Sequence, residues 1–134
     1  MVRDFEQQEI APGDINRFEW LWLVAMMVSA VVAVEMYDYS IHVVGPYLAA
    51  IINIGVFVVA VLLMMLACRR NNVARLLLLP FLALIALYDF SHLSEMLSRN
   101  VTPYLAALRL GLMVVAIRSL FTPASRAWYA LRAE

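Results

Sequence analysis

A chain of 134 residues that is 65% hydrophobic and 15% charged is too apolar for a disordered segment or a soluble globular domain, in which about a quarter of positions are charged. Ten basic residues balance ten acidic ones, so no net charge draws the chain toward nucleic acid. All ten basic residues are arginine, which removes Schiff-base and phosphate-loop lysine chemistry, and the composition points to a small polytopic membrane protein forming one transmembrane domain over residues 1–134.

A bilayer core of ~30 Å takes about 20 mainly apolar residues per spanning helix, and four stretches qualify. The first covers about 18–38, through Trp20 and Trp22. Ahead of it, Asp4, Glu6, Glu9, Asp14 and Glu19 outweigh Arg3 and Arg17. A secretory signal starts basic, so the first stretch reads as a retained anchor and 1–17 as a cytoplasmic segment. The second stretch, about 46–67, contains no charge. The third, about 73–97, contains Pro80, whose missing N–H predicts a kink. The fourth covers about 103–121 and carries Arg109 and Arg118. The remainder, 122–134, opens Thr122-Pro123-Ala124-Ser125, a helix-start pattern, and reads as an interfacial amphipathic helix. Phe18, Trp20 and Trp22 at one end of the chain, and Trp128 and Tyr129 at the other, are expected in aromatic belts at the membrane surface.

Arginine placement sets the orientation, because basic loops stay cytoplasmic. Arg3, Arg17, Arg69, Arg70, Arg75, Arg118, Arg126 and Arg132 fall on one side, and the opposite loops hold only Arg99. The expected fold is an all-α, four-helix, up-down-up-down bundle with both termini cytoplasmic. An internal echo adds detail. Tyr37-Asp38-Tyr39-Ser40 returns as Tyr88-Asp89-Phe90-Ser91, each copy is followed by a histidine (His42, His92), and Pro-Tyr-Leu-Ala-Ala stands at both 46–50 and 103–107. Two repeated hairpins account for this; chance matching within a narrow apolar alphabet accounts for it equally well.

Ionisable groups inside a bilayer are costly and face other helices or water. With Asn100 as the turn between the third and fourth stretches, Arg109 lies nine residues after it and Asp89 eleven before. At about 1.5 Å per helical residue the two reach one level, which predicts an Asp89–Arg109 ion pair. Glu35 and Asn53 fall at a similar level if the first outer turn is at Val43. Glu35, Asn53, Asp89 and Arg109 then make an intramembrane polar layer, read either as a fixer of helix register or as a proton, ion or metabolite site. A second constellation lies further out. Asp38, His42, Asp89 and His92 combine carboxylate and imidazole at helical spacing, which suits a transition metal. A haem held by His42 and His92 is a weaker variant, because His42 falls in or beside a turn. The single cysteine, Cys68, cannot form an internal disulfide. Two arginines nine residues apart do not make a voltage sensor, and no nucleophile elbow, phosphate loop or zinc-protease motif is present.

The strings Cys68-Arg69-Arg70-Asn71-Asn72-Val73-Ala74-Arg75, Leu120-Phe121-Thr122-Pro123-Ala124-Ser125-Arg126-Ala127-Trp128-Tyr129 and Asn16-Arg17-Phe18-Glu19-Trp20 together resemble a group of small bacterial inner-membrane proteins with four helices and no established activity. The resemblance implies a bacterial inner membrane and a four-helix bundle, and carries over no functional residue. The Tyr-Asp-Tyr/Phe-Ser copies and their histidines lie outside its pattern. The leading functional expectation is a non-enzymatic accessory or structural subunit, with no cofactor, packing against copies of itself or a larger membrane complex. Small residues at Ala49, Ala50, Gly55, Ala106, Ala107 and Gly111 favour such helix contacts. A small transporter built on Glu35, Asp89 and Arg109 is the alternative, and the outward metal or haem site is the third.

Overall fold

A computed structural model describes residues 13–133, so residues 1–12, with Arg3, Asp4, Glu6 and Glu9, lie outside the described residues. The described chain is all-helical: α1 Gly13–Glu35, α2 Tyr37–Val44, α3 Pro46–Cys68, α4 Asn72–Ser91, α5 Leu93–Leu97, α6 Thr102–Ser119 and α7 Pro123–Ala133. Four of these, α1, α3, α4 and α6, are long and apolar enough to cross a membrane, which makes this a multi-pass membrane protein. Their outward valines, leucines and isoleucines are the surface expected to meet lipid, where only helices or closed barrels satisfy every backbone group.

The boundaries follow from local chemistry. Gly45, at φ +88°, turns the chain into Pro46 at the start of α3, where proline's missing N–H costs nothing. Asn71 caps α4 by accepting the Ala74 N–H at 3.1 Å. Between them α3 closes with Arg70 in the left-handed region, at φ +66°. The Asn71 N–H reaches Leu66 O at 3.0 Å and the Arg70 N–H reaches Ala67 O at 3.3 Å, a Schellman closure whose usual left-handed residue is glycine. Helix α4 continues through Pro80, and no break accompanies that proline.

Two expected single helices are interrupted. The stretch expected over 18–38 ends as α1 at Glu35, and α2 starts again at Tyr37. The stretch expected to 97 ends as α4 at Ser91, and α5 starts at Leu93. Helical bonding crosses both joints, Ser40 N–H to Met36 O at 2.9 Å and Met96 N–H to His92 O at 3.0 Å, so they are bends and not turns. At both, methionines anchor the change of direction: Met36 and Met96 are buried with Val32 and Ala106 in one cluster, a use that suits a flexible side chain.

The closest pairing is α1 with α6, and the sequence carries its cause. Ile15, Phe18, Trp22, Ala25, Val32 and Met36 are buried along α1 and its bend; Thr102, Ala106, Arg109, Met113, Ala116 and Leu120 are buried along α6. Both series step by threes and fours, save that half-buried Ser29 fills the place between Ala25 and Val32, the seam of two helices packed as a coiled-coil pair. The pair runs antiparallel: Thr122, just past α6, donates to Asp14 at the start of α1, and Arg99, just before α6, reaches the carbonyl of Glu35 at its end. Helix α3 joins where the Trp22 Nε1–H donates to Ala60 O at 3.2 Å. Trp22 also touches Phe18 and Phe81, ring centroids 5.6 and 6.0 Å away.

The aromatic belt therefore needs correction. Phe18, Trp22, Trp128 and Tyr129 are buried in the main core, because they occupy inward positions of their helices. Only Trp20, 71% exposed, faces outward. Helix α7 folds back over the end of the bundle, and its Tyr129 hydroxyl donates to Ala67 O. Burial, followed by nearby Cys68, pushes the Tyr129 phenol up from its ordinary value, keeping that donor protonated. The two Pro-Tyr-Leu-Ala-Ala strings open α3 and α6 alike, with Ala49 and Ala106 buried and Tyr47 and Tyr104 outward. The two Tyr-Asp copies diverge: Asp38 lies exposed in α2, whereas Asp89 is buried in α4.

Candidate functional site

Helices α1 and α6 meet along their length, and α3 and α4 complete the bundle less tightly. Between them a chamber of about 410 Å³ opens, walled by α1, α2, α3 and α4, with Arg109 and Met113 contributed by α6. Most of its wall is apolar, from residues such as Val32, Ala33, Ile52, Phe57, Phe81 and Ile85. Its polar groups are few: Arg109, Asn53, Ser29, Ser40, Tyr39, Tyr88 and His92 also line it. A mostly apolar cavity with a few polar groups is the usual form of a small-molecule site.

Arg109 is the charged wall of this chamber. It occupies a seam position of α6 and is 6% exposed; Asp89, from α4, is 5% exposed. The Arg109 Nη2–H donates to Asp89 Oδ1, so the two side chains form a buried ion pair. The pair is incompletely satisfied: Arg109 Nε and Asp89 Oδ2 are buried without a hydrogen-bond partner. Buried polar groups almost always have partners; Thr102 Oγ1 and Trp128 Nε1 are also buried without one, and of the pair only Arg109 lines the chamber.

The remaining polar-layer residues separate. Asn53 lines the chamber, but its Nδ2–H donates to Ala49 O at 2.9 Å in its own helix. Glu35 is exposed at the end of α1, and only its backbone carbonyl is engaged, by Arg99. That bond sets Glu35 beside the segment just before α6, away from the Asp89–Arg109 pair. The layer is thus the Asp89–Arg109 pair, with Asn53 on the same chamber.

The other expected constellation is dispersed. Asp38 and His42 are exposed on α2, and Asp89 is turned inward. His92 sits at the bend between α4 and α5; its Nδ1 lies 2.9 Å from Tyr88 O, and its ring packs on Tyr88 and edge-on against Tyr39, centroids 4.4 and 5.6 Å away. Among the described residues no group of three or more His, Cys, Asp or Glu is arranged to hold a metal ion.

The spacing of Glu95 and Arg99 pointed to their pairing; what sequence reasoning missed at this end is how far Arg99 reaches beyond it. It donates to Asp38 Oδ1 at 3.2 Å, to Glu95 Oε1 at 2.9 Å and to the Glu35 carbonyl. The Glu95 hydrogen bond, and after it Asp38, raise the Arg99 guanidinium above its ordinary value. Its four-residue spacing from Glu95 was visible in the sequence; its reach to the α1–α2 bend was not. Arg99 therefore ties the segment beyond α5 to α2, whose Tyr39, Ser40, Val43 and Val44 wall the chamber. Replacing Arg99 by Gln should speed amide hydrogen exchange across 37–44 and leave exchange in α6 unchanged. Equal exchange in the two proteins would show that the latch does not hold α2.

The opposite end gathers the Tyr129 side of the bundle. The Arg70 guanidinium lies 4.9 Å from the Trp128 ring centroid, and Arg75 lies 4.8 Å from Phe121 and 4.5 Å from Tyr129. Arg75 Nη1–H also donates to Leu120 O at 3.3 Å. These contacts seat α7 with arginines stacked on aromatic faces. Comparison of the chain with protein-family models, with curated protein sequences and with solved structures finds no match.

Proposed function

We propose that this multi-pass membrane protein is a non-enzymatic carrier for a small, mostly apolar molecule with a polar head, held in the chamber beside Arg109. The observation that carries the reading is a buried arginine, Arg109, in the wall of a mostly apolar cavity of about 410 Å³. Ionisable residues within membrane spans mark substrate and ion pathways more often than scaffolding. The setting we assign is a bacterial inner membrane with the Tyr129 end cytoplasmic. Arg69, Arg70, Arg75, Arg118 and Arg126 in the sequence, and the resemblance to small inner-membrane proteins, support that assignment.

The test is purification from native membranes in mild detergent, followed by mass spectrometry of small molecules and proteins together. The carrier reading expects a co-purifying small molecule with wild type that is lost or depleted in Ala33→Phe, whose larger side chain narrows the chamber. One observation favours a second reading, that of an accessory subunit. Gly55 and Gly111 are exposed on α3 and α6, and a Cβ built on either meets nothing within 4 Å, so other helices can approach these faces closely. A stoichiometric partner protein, with no small molecule in the wild-type preparation, would replace the carrier by that subunit.

A further inference from the structure

We infer that the molecule held in the chamber is a neutral carbonyl compound with an apolar body, whose carbonyl oxygen accepts a hydrogen bond from Arg109 Nη1. The inference rests on the carrier reading above and names the ligand class of the same site. Among the described residues Arg109 is the only charged one lining the chamber, and its three guanidinium nitrogens stand differently. Nη2 donates to Asp89 Oδ1, and Nε is closed off without a partner. Nη1 has no protein acceptor either, but it is not closed off. Its N–H groups are therefore the ones open to the chamber, in a side chain that is 6% exposed.

Charge decides between a neutral and an ionic head. Arginine stays protonated, and Asp89 offsets Arg109 from behind the chamber wall, so the pair carries no net charge. An anionic head would leave one unbalanced negative charge in a low-dielectric interior, which is strongly disfavoured. A cationic head would meet Arg109 alone, because Asp89 does not line the chamber. A neutral acceptor keeps the balance and still receives a hydrogen bond from a charged donor, which is stronger than one from a neutral donor. A carbonyl accepts without bringing an O–H that would itself need a buried partner.

The way in selects the same class. Ile52 and Val56, in the first half of α3, and Leu84 and Tyr88, in the second half of α4, line the chamber and are also exposed on the outside of the bundle. These halves lie at one level, because α3 and α4 run back to back from the turn at Arg69 and Arg70. Outward faces of spanning helices meet lipid, so the chamber is reached from hydrocarbon, which admits a neutral ketone and strongly disfavours an ion. Val32, Phe57, Phe81 and Ile85 then receive the apolar body. The other polar groups, Tyr39, Tyr88 and His92, pack on one another at the α2 end.

The ketone 2-nonanone, nonane and octanoate are suitable probes, because they share an apolar chain and carry a neutral carbonyl, no acceptor and a carboxylate respectively. Binding to the full chain in liposomes is measured as labelled probe retained in excess of protein-free liposomes. The ketone should saturate at one molecule per chain and bind about tenfold tighter than nonane, the gain expected of a hydrogen bond from a charged donor. Octanoate should show no excess. With its carbonyl carbon isotopically labelled, the bound ketone should give a resonance downfield of ketone dissolved in lipid, the mark of a hydrogen-bonded carbonyl. In the paired variant Asp89→Leu with Arg109→Met, the displacement and the tenfold gain should vanish while nonane binding persists. If that variant does not fold, the wild-type ratio and displacement decide. Nonane bound as tightly as the ketone, octanoate bound in preference, or an undisplaced carbonyl resonance overturns the carbonyl inference and leaves the carrier reading intact. A gain retained in the paired variant overturns it too, and moves the carbonyl to the Tyr39, Tyr88 and His92 group. If no probe binds, both readings fall.

Discussion

Asp89→Leu should destabilise the bundle by about 3–5 kcal/mol, the usual loss when one member of a buried ion pair is removed. The substitution leaves the Arg109 guanidinium buried in the α1–α6 seam with no anion, and arginine has no neutral form to fall back on. Arg109→Met should cost less, because the remaining carboxyl can neutralise itself by taking up a proton. The double substitution Asp89→Leu with Arg109→Met should recover most of the loss, since apolar replacements of a buried pair are often neutral or better. Unfolding of the three variants in mixed micelles gives the ordering directly. A double variant as unstable as Asp89→Leu alone would mean that Asp89 matters for its shape and not for the charge it offsets. Recovery of stability with loss of the co-purifying small molecule would separate the structural part of Arg109 from its part in the chamber wall.

Trp22→Ala should also cost about 3–5 kcal/mol, the range for deleting a large buried aromatic side chain. Trp22 is fully buried, packs at a tilt against Phe18 and Phe81 and donates to Ala60 O. Trp22→Phe keeps an aromatic ring but removes the N–H donor and part of the indole, so its loss should lie between that of a polar contact between helices, ~0.6 kcal/mol, and that of Trp22→Ala. A loss for Trp22→Phe equal to that for Trp22→Ala would show that the retained ring contributes nothing. Because Ala60 and Phe81 also line the chamber, Trp22→Ala should enlarge it, and the variant should admit bulkier apolar probes than wild type.

The parts of this architecture that the sequence makes legible are those set by length and local chemistry. Runs of about 20 apolar residues locate the spans because bilayer thickness fixes helix length. Counting from Asn100 brought Asp89 and Arg109 together even across the bend at His92, because helical bonding continues through that joint. The same counting failed for Glu35, where a bend at Met36 and a turn at Gly45 add errors that counting cannot see. It failed differently for Trp22: composition assigns a terminal tryptophan to the membrane surface, but its position in the three-and-four series from Ile15 to Met36 assigns it to the seam. That series is written in the sequence and predicts the α1–α6 pairing once it is sought. The chamber has no sequence signature, because it arises from what α3 and α4 fail to fill.

The partnership of α1 with α6 also dictates an order of assembly. The first spanning helix of the described chain finds its main neighbour in the last one, so no intermediate stage of synthesis offers it that neighbour. At ribosomal rates of about 5–20 residues per second, the seam of α1 waits on the order of seconds in lipid or against the insertion machinery. Helices α3 and α4 enter during that interval, and Asp89 arrives ahead of its counter-ion. Arrival of α6 both closes the bundle and delivers Arg109. A ribosome stalled before Thr102 therefore leaves an open seam and a lone acid, two marks by which a membrane protease can tell an unfinished chain from a finished one.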